Sequence, residues 1–228
     1  MGGYAAVVLA GGAARRMGGR DKPAVPVGGQ PMRDRVLTAV AAADTRVVVG
    51  PAGPTPAGVR STREDPPGGG PVAALAAGLA LLDPATTVVA VLAADLPLLT
   101  RHAVDDLLHH LEAPSAVAAR RDGHGSEVSA NRHARGGPPE APKPVDGACY
   151  VDAAGRRQSL CGVWRVPALR AALDRLAAER DGNLAGASLR ALLAGLAVVE
   201  VRWLGDGPPP WFDCDTDNDV RRAEEWLR

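Results

Sequence analysis

Short apolar runs alternate with segments of helical periodicity along the first half of the chain. Runs rich in β-branched or small apolar residues predict strands at 4–10, 46–50, 59–62, 86–94 and 115–119, and helical spacing predicts helices at 31–43, 72–82 and 100–111. The main runs are apolar almost throughout, which is typical of strands covered on both faces. This alternation predicts an α/β fold with a mainly parallel twisted sheet and helices on both faces.

The second half of the chain has a different pattern. Residues 120–147 contain almost no apolar side chains, so we expect a long, mobile surface loop. The two extended segments around Ala153, Ala154 and Gly155 predict a hairpin. The pattern further predicts helices at 167–179 and 187–194, a strand at 198–203, a short strand at 211–217 and a final helix ending near Leu227.

The first predicted strand runs directly into a glycine-rich, basic stretch. Gly11 and Gly12 would let backbone N–H groups approach a phosphate, and Arg16 and Lys22 can neutralise triphosphate oxygens. The stretch contains neither GxxxxGK[ST] nor GxGxxG, which argues against a P-loop NTPase and a dinucleotide-binding dehydrogenase. A solvated surface loop is the alternative interpretation of the same cluster of positive charge.

Four aspartates are candidate partners for this loop. Asp95 ends the most apolar strand, where it can bind Mg²⁺ or merely cap the turn that follows. Asp65 can accept hydrogen bonds from N1 and N2 of guanine, or act as a turn residue. Asp213 and Asp215 lie two apart on the predicted short strand, so we expect them to face one side and to bind a second metal ion or the second substrate.

Composition excludes several classes of function. Basic and acidic residues balance at 26 each, which argues against a general nucleic-acid or membrane binder. The three cysteines have no zinc-ligand or disulfide spacing, so a reducing cytoplasm is expected. No stretch approaches the roughly 18–20 apolar residues of a membrane span.

Five segments, in order along nearly the whole chain, resemble the molybdenum cofactor guanylyltransferases, the MobA-type nucleotidyltransferases. They are LAGGAARRMGGRDK at residues 9–22, EDPPGGGPVAAL at 64–75, DLP at 95–97, QSLCGVWR at 158–165 and FDCDTDND at 212–219. The first segment is highly specific for the superfamily.

The resemblance implies a Rossmann-like nucleotidyltransferase fold. From its length we expect the chain to form a single domain, 1–228, with a nucleotide-binding part (1–119), the mobile loop (120–147) and an acceptor-binding part (148–228). The resemblance also implies Mg²⁺-dependent transfer of GMP from GTP to molybdopterin carrying molybdenum, with release of pyrophosphate. Molybdoenzymes or other cofactor-biosynthesis proteins are the implied protein partners. Implied nucleotide contacts are Leu9, Ala10, Gly11, Lys22, Asp65 and Asp95, with Asp95 also on the metal; Gln158, Asp213 and Asp215 are the expected acceptor contacts.

The chain departs from the family pattern at several positions. Gly50 stands where the family often has an asparagine that contacts nucleotide, and Ser159 stands where proline is usual. Asp213 and Asp215 replace a closing pair of asparagines. Two alternatives therefore stay open: a nucleotidyltransferase with other substrates, such as CTP or a sugar phosphate, and a non-catalytic protein that binds nucleotide.

Overall fold

One seven-stranded sheet organises the computed structural model of the protein, which describes residues 3–11, 22–51, 53–113 and 144–228. Its strands are β1 (Ala5–Leu9), β4 (Thr45–Val49), β5 (Val59–Thr62), β6 (Val88–Ala93), β7 (Gly147–Val151), β8 (Arg157–Arg165) and β9 (Val198–Val201). Two short strands, β2 (Pro26–Val27) and β3 (Gln30–Pro31), pair with each other.

The strand order is β5-β4-β1-β6-β8-β7-β9. Strands β5, β4, β1 and β6 are parallel, β8 runs antiparallel to both β6 and β7, and β9 is parallel to β7. This confirms the predicted α/β fold with a mainly parallel sheet. Leu9 of β1 pairs with Val49 of β4 and Ala93 of β6, so the carboxyl ends of these three strands meet at one edge.

Helices cover both faces of the sheet. They are α1 (Met32–Ala39), α2 (Pro71–Ala80), α3 (Arg101–Glu112), α4 (Val166–Ala178), α5 (Leu189–Leu193) and α6 (Asp217–Trp226), and a 3-10 helix spans Lys22–Ala24. Ala6 and Val8 face α1 and α3, whereas Val7 and Leu9 face α2, α4 and α5, because successive strand residues point to opposite faces. Across the described ranges, no helix combines the length and apolarity needed to cross a membrane.

The predicted elements differ from the structure mainly near the carboxyl terminus. The short strand at 211–217 is wrong: residues 212–215 have no regular structure. The Cys214 N–H instead donates to the carbonyl of Asp95 at 3.2 Å, which fixes the segment against the loop after β6. The side chain of Thr216 then caps α6 together with Asp219, in the reciprocal pattern of a capping box.

Part of the sequence prediction falls outside the described residues. This holds for the predicted strand at 115–119 and for most of the predicted loop at 120–147. Strand β7 begins at Gly147, the last residue of that predicted loop, and pairs with β8 as the predicted hairpin.

Candidate active site

The carboxyl end of the central strand β1 forms the floor of the candidate site. The Ala10 N–H donates to the Val49 carbonyl at 2.7 Å, and the Ala94 N–H donates to the Leu9 carbonyl at 3.0 Å. Leu9 and Ala10 are buried, so they offer a ligand chiefly their backbone, while Gly11 is exposed. Gly12 and Arg16 lie outside the described residues, and their phosphate-binding roles stay predictions.

Lys22 joins the loop after β1 to two carboxylates from distant parts of the chain. Its Nζ donates to Asp95 Oδ2 at 2.5 Å and to Asp215 Oδ1 at 2.6 Å. The lysine side chain is 14% exposed, and those of Asp95 and Asp215 are 22% and 46% exposed. A basic side chain predicted to bind triphosphate and a predicted metal ligand therefore contact each other directly.

Electrostatics in this cluster keep Lys22 charged. Burial by itself would lower the pKa of Lys22, but the hydrogen bonds to Asp215 and Asp95 and their negative charges outweigh it, so the pKa is raised. The ammonium group is therefore positively charged throughout the physiological range, as a ligand for phosphate or carboxylate oxygens must be.

Asp213 adds a third carboxylate to the same edge. Its pKa is raised, first by partial burial and then by the nearby charges of Asp215 and Asp95. Between the two aspartates, Cys214 is buried and its backbone is bonded to Asp95. Residues 212–215 thus place two carboxylates near the end of β6 although they do not form the strand that the sequence predicted.

The loop after β5 presents Asp65 and Glu64 differently. Asp65, the predicted base contact, is exposed, whereas Glu64 is 7% exposed. Glu64 Oε1 accepts a hydrogen bond from the Gly68 N–H at 2.9 Å, and a Cβ added to Gly11 would lie 3.7 Å from this oxygen. Glu64 Oε2 is buried and has no hydrogen-bond partner within the described part of the chain.

Sequence reasoning missed Glu64 because both acidic residues stand in one turn-rich loop and nothing in the pattern marks which of them turns inward. A buried acceptor left unpaired costs on the order of 1–3 kcal/mol. Glu64 therefore joins the site as a buried carboxylate of the loop after β5 that lies beside Gly11.

The structure explains the absence of a side chain at the end of β4. A Cβ on Gly50 would lie 2.9 Å from the carbonyl carbon of Ala10, which is closer than real Cβ contacts. An asparagine at this position would have to push the end of β1 aside. The nucleotide contact that the family often makes here is therefore incompatible with this backbone.

Gln158 lies at the start of β8, on the far side of β6 from β1. Its Nε2 donates to Asp152 Oδ2 at 3.4 Å and to the Arg156 carbonyl at 3.3 Å. These bonds tie its amide to the turn between β7 and β8. Its predicted contact with the acceptor stays a prediction.

The carboxylates of Asp95 and Asp215 have the chemistry that a magnesium ion requires. Both oxygens contact one nitrogen, so they are no farther apart than the sum of those two distances, about 5 Å. Mg²⁺ takes one or two carboxylates together with phosphate oxygens and water. Over the described ranges, no group of three or more His, Cys, Asp or Glu side chains is arranged to hold a metal, so substrate and water would complete the shell.

A family model described as the MobA-like NTP transferase domain matches residues 6–199, which is most of the chain. The match includes the glycine-rich stretch, Glu64, Asp65 and Asp95, and it ends before Asp213. A comparison with curated protein sequences finds no match.

Solved structures share the fold over nearly the full length of both chains. Molybdopterin-guanine dinucleotide biosynthesis protein A from Archaeoglobus fulgidus is 18% identical, covers 97% of each chain and has a TM-score of 0.62. A 4-diphosphocytidyl-2C-methyl-D-erythritol synthase from Anaerococcus prevotii is 12% identical, covers 99% of this chain and 96% of its own, and has a TM-score of 0.62.

A nucleotidyl transferase from Methanothermobacter thermautotrophicus is 18% identical, with a TM-score of 0.64 and coverage of 100% of this chain and 99% of its own. At these identities the likeness extends to the fold alone.

Proposed function

Because the chain belongs to the family of MobA-like NTP transferases, we propose that it transfers GMP from GTP to the molybdopterin form of the molybdenum cofactor. The observation that carries the proposal is the contact of Lys22 with Asp95 and Asp215 beside the end of β1. This contact places a cation suited to phosphate beside two acidic side chains, at the edge where parallel sheets of this kind bind ligands.

The reaction is a direct displacement at the α-phosphorus of GTP. An oxygen of the acceptor's terminal phosphate forms the new P–O bond, and the bond to the β-phosphate breaks, so that pyrophosphate leaves with the electron pair. Such a transfer needs position and charge rather than a covalent nucleophile. No proton has to be removed from an ionised acceptor phosphate.

Each described residue of the site has a role in this displacement. The backbone of Leu9, Ala10 and Gly11 supports the nucleotide, and Lys22 stabilises negative charge that develops on the departing pyrophosphate. Gly12 and Arg16 are assigned to the same triphosphate from the sequence. Glu64 and Asp65 stand on the loop assigned to the guanine base, and Gln158 and Asp213 are assigned to the acceptor.

A magnesium ion fits Asp95 and Asp215, and when bound it would neutralise phosphate charge and polarise the α-phosphoryl oxygens. Asp95 is well placed for this role because the loop that carries it is fixed by the Cys214 N–H. The same two carboxylates contact Lys22, so the metal and the lysine would bind to the same pair of acidic side chains.

Cytidylyl transfer is the second candidate, favoured by the name of one structural neighbour, a 4-diphosphocytidyl-2C-methyl-D-erythritol synthase. The two candidates differ in the base that the loop after β5 accepts. Guanine offers adjacent N1–H and N2–H donors to a carboxylate, whereas cytosine offers a single amino group beside a ring acceptor.

A thermal-shift panel of GTP, CTP, ATP and UTP with Mg²⁺ separates these candidates. GTP at about 100 times its Kd should stabilise the fold by about 2.7 kcal/mol, which for a chain of this size raises Tm by about 5–10 °C. Selection of GTP, followed by incorporation of labelled GMP into molybdopterin, supports the proposal. Selection of CTP favours the second candidate, and no shift with any nucleotide contradicts both.

A further inference from the structure

The Lys22 ammonium group occupies the same two carboxylates that we assign to Mg²⁺. Its Nζ lies between Asp95 Oδ2 and Asp215 Oδ1 at hydrogen-bond distances of 2.5 and 2.6 Å, and the lysine side chain is 14% exposed. The two carboxylates assigned to Mg²⁺ therefore share one positive charge that a side chain of the same protein supplies.

An ammonium group and a magnesium ion cannot occupy the gap between these two oxygens at once. Mg²⁺ binds oxygens at 2.0–2.1 Å and requires near-octahedral geometry, whereas an ammonium donates hydrogen bonds at about 2.7–2.9 Å. Both are cations, so joint occupation would add repulsion to the steric conflict. Lys22 and the metal are thus alternatives on one pair of carboxylates.

The triphosphate provides the opposing attraction for the lysine. It carries several negative charges, and Lys22 follows directly from the stretch assigned to bind it. A four-carbon side chain with a compact charge reorients readily, which would let its ammonium exchange the carboxylates for the phosphates. Asp95 Oδ2 and Asp215 Oδ1 then lose their contact with Lys22, and the metal that accompanies the nucleotide can take its place.

We infer that Lys22 is an internal counter-ion that keeps divalent metal off Asp95 and Asp215 until a nucleoside triphosphate draws the lysine away. The inference rests on the proposed magnesium-dependent transfer, and it assigns an order of events to that site. Metal and nucleotide must then bind with positive coupling, because each is favoured by the state of Lys22 that the other produces.

The order of binding has a functional consequence. A site that held Mg²⁺ permanently would present a hydrated dication to the acceptor phosphate in the absence of nucleotide. With Lys22 on the carboxylates, the net charge of the three groups is −1, and the metal-binding edge forms only together with the bound triphosphate. The acceptor phosphate therefore meets either a site that holds both metal and triphosphate or a site whose carboxylates are still bound by Lys22.

Calorimetric titration of Mg²⁺ alone into wild type and Lys22→Met tests the inference without turnover. Methionine keeps the approximate length of the side chain and removes the charge. We expect nucleotide-free Lys22→Met to bind Mg²⁺ at least about tenfold more tightly than wild type. Arg101→Met, which removes an exposed cation paired with Asp105 on α3, should leave Mg²⁺ binding unchanged.

A second titration adds GTP without acceptor and corrects for the Mg²⁺ that GTP binds in solution. Wild type should gain at least about tenfold in Mg²⁺ affinity, and Lys22→Met should gain less. Equal Mg²⁺ affinity of the two nucleotide-free proteins would overturn the inference, as would equal gains with GTP. If wild type bound no GTP, the proposed function would be contradicted instead. The Mg²⁺ affinities of nucleotide-free wild type and Lys22→Met would still show whether Lys22 keeps the metal off the carboxylates.

Wild-type protein offers an independent readout if the variant does not fold. The chain has two lysines, Lys22 and Lys143, so ¹⁵N NMR of its side-chain ammonium groups contains few signals. GTP with Mg²⁺ should shift the Lys22 signal, and millimolar Mg²⁺ alone should leave it in place. A shift with Mg²⁺ alone would show that the metal displaces the lysine unaided, contrary to the inference.

Discussion

Lys22 draws together two carboxylates that are 73 and 193 residues away from it along the chain. The lysine and Asp95 are both legible in the sequence, the first as the end of a basic stretch and the second as the end of an apolar strand. Their direct contact is not, because it depends on how a side chain crosses the edge of the sheet. Asp215 makes the same contact, although the sequence predicted that it binds a second metal ion or the acceptor.

Replacing Lys22 with alanine should slow nucleotidyl transfer by about tenfold to a hundredfold, the scale of losing one charged contact in the transition state. The initial rate of pyrophosphate release at saturating GTP and Mg²⁺ measures this loss. Arg101→Ala, on the exposed face of α3, is the matched control and should keep the wild-type rate. A near-normal rate in Lys22→Ala would remove the lysine from the mechanism.

At the scale of elements, the close approach of β4 and β1 shapes the end of the site that we propose binds nucleotide. Gly50 leaves β4 beside the backbone of Ala10, and the Gly50 N–H donates to the Thr62 carbonyl of β5 at 3.0 Å. The three strand ends are therefore held at fixed spacing below Gly11 and Glu64. The packing of these backbones leaves no room for a side chain at residue 50, so a proposed nucleotide could not be contacted by one from this position.

Gly50→Ala should therefore weaken both the fold and nucleotide binding. Its Cβ would meet the Ala10 carbonyl carbon at 2.9 Å, and overpacking of this kind costs about 1–3 kcal/mol. We expect a lower Tm and a higher KM for GTP, measured by thermal melting and by initial rates. Gly53→Ala, in the same connection but in open space, is the control. An unchanged KM would mean that the end of β1 does not position the nucleotide.

At the scale of the whole molecule, the edge of the sheet concentrates negative charge at a cost to the free protein. Asp95 and Asp215 contact Lys22 there, and Asp213 lies close enough to feel the charges of all three, although the chain as a whole has a net charge of zero. Functional sites commonly hold such unfavourable groupings because the ligand relieves them. The raised pKa of Asp213 is the visible sign, since burial and the two neighbouring carboxylates disfavour its charge.

The sign of the pH dependence follows from that shift. The folded state binds a proton at Asp213 more tightly than the unfolded chain does, so the contribution of this group to stability is lost as the pH rises through its raised pKa. We expect Asp213→Asn to raise Tm at pH 7 in the absence of metal and nucleotide. The gain should shrink as the pH falls towards 3.8, the ordinary pKa of an aspartate.

Thermal melting of both proteins between pH 4.5 and pH 7 measures this difference. Asp174→Asn, on the exposed side of α4, controls for the loss of one negative charge from the surface. A Tm gain that stays constant over this range, or that appears equally in the control, would contradict the electrostatic account of Asp213.

The sequence by itself determined the alternating architecture and the placement of the glycine-rich stretch and Asp95 after β1 and β6. These features depend on local periodicity and on how parallel strands end, which neighbouring residues encode. Tertiary structure alone decided that residues 212–215 dock on the Asp95 carbonyl instead of forming a strand, that Glu64 is buried while Asp65 is exposed, and that Lys22 sits between two carboxylates. Each of these outcomes depends on hydrogen bonds and burial between segments far apart in the chain, for which a one-dimensional pattern has no signal.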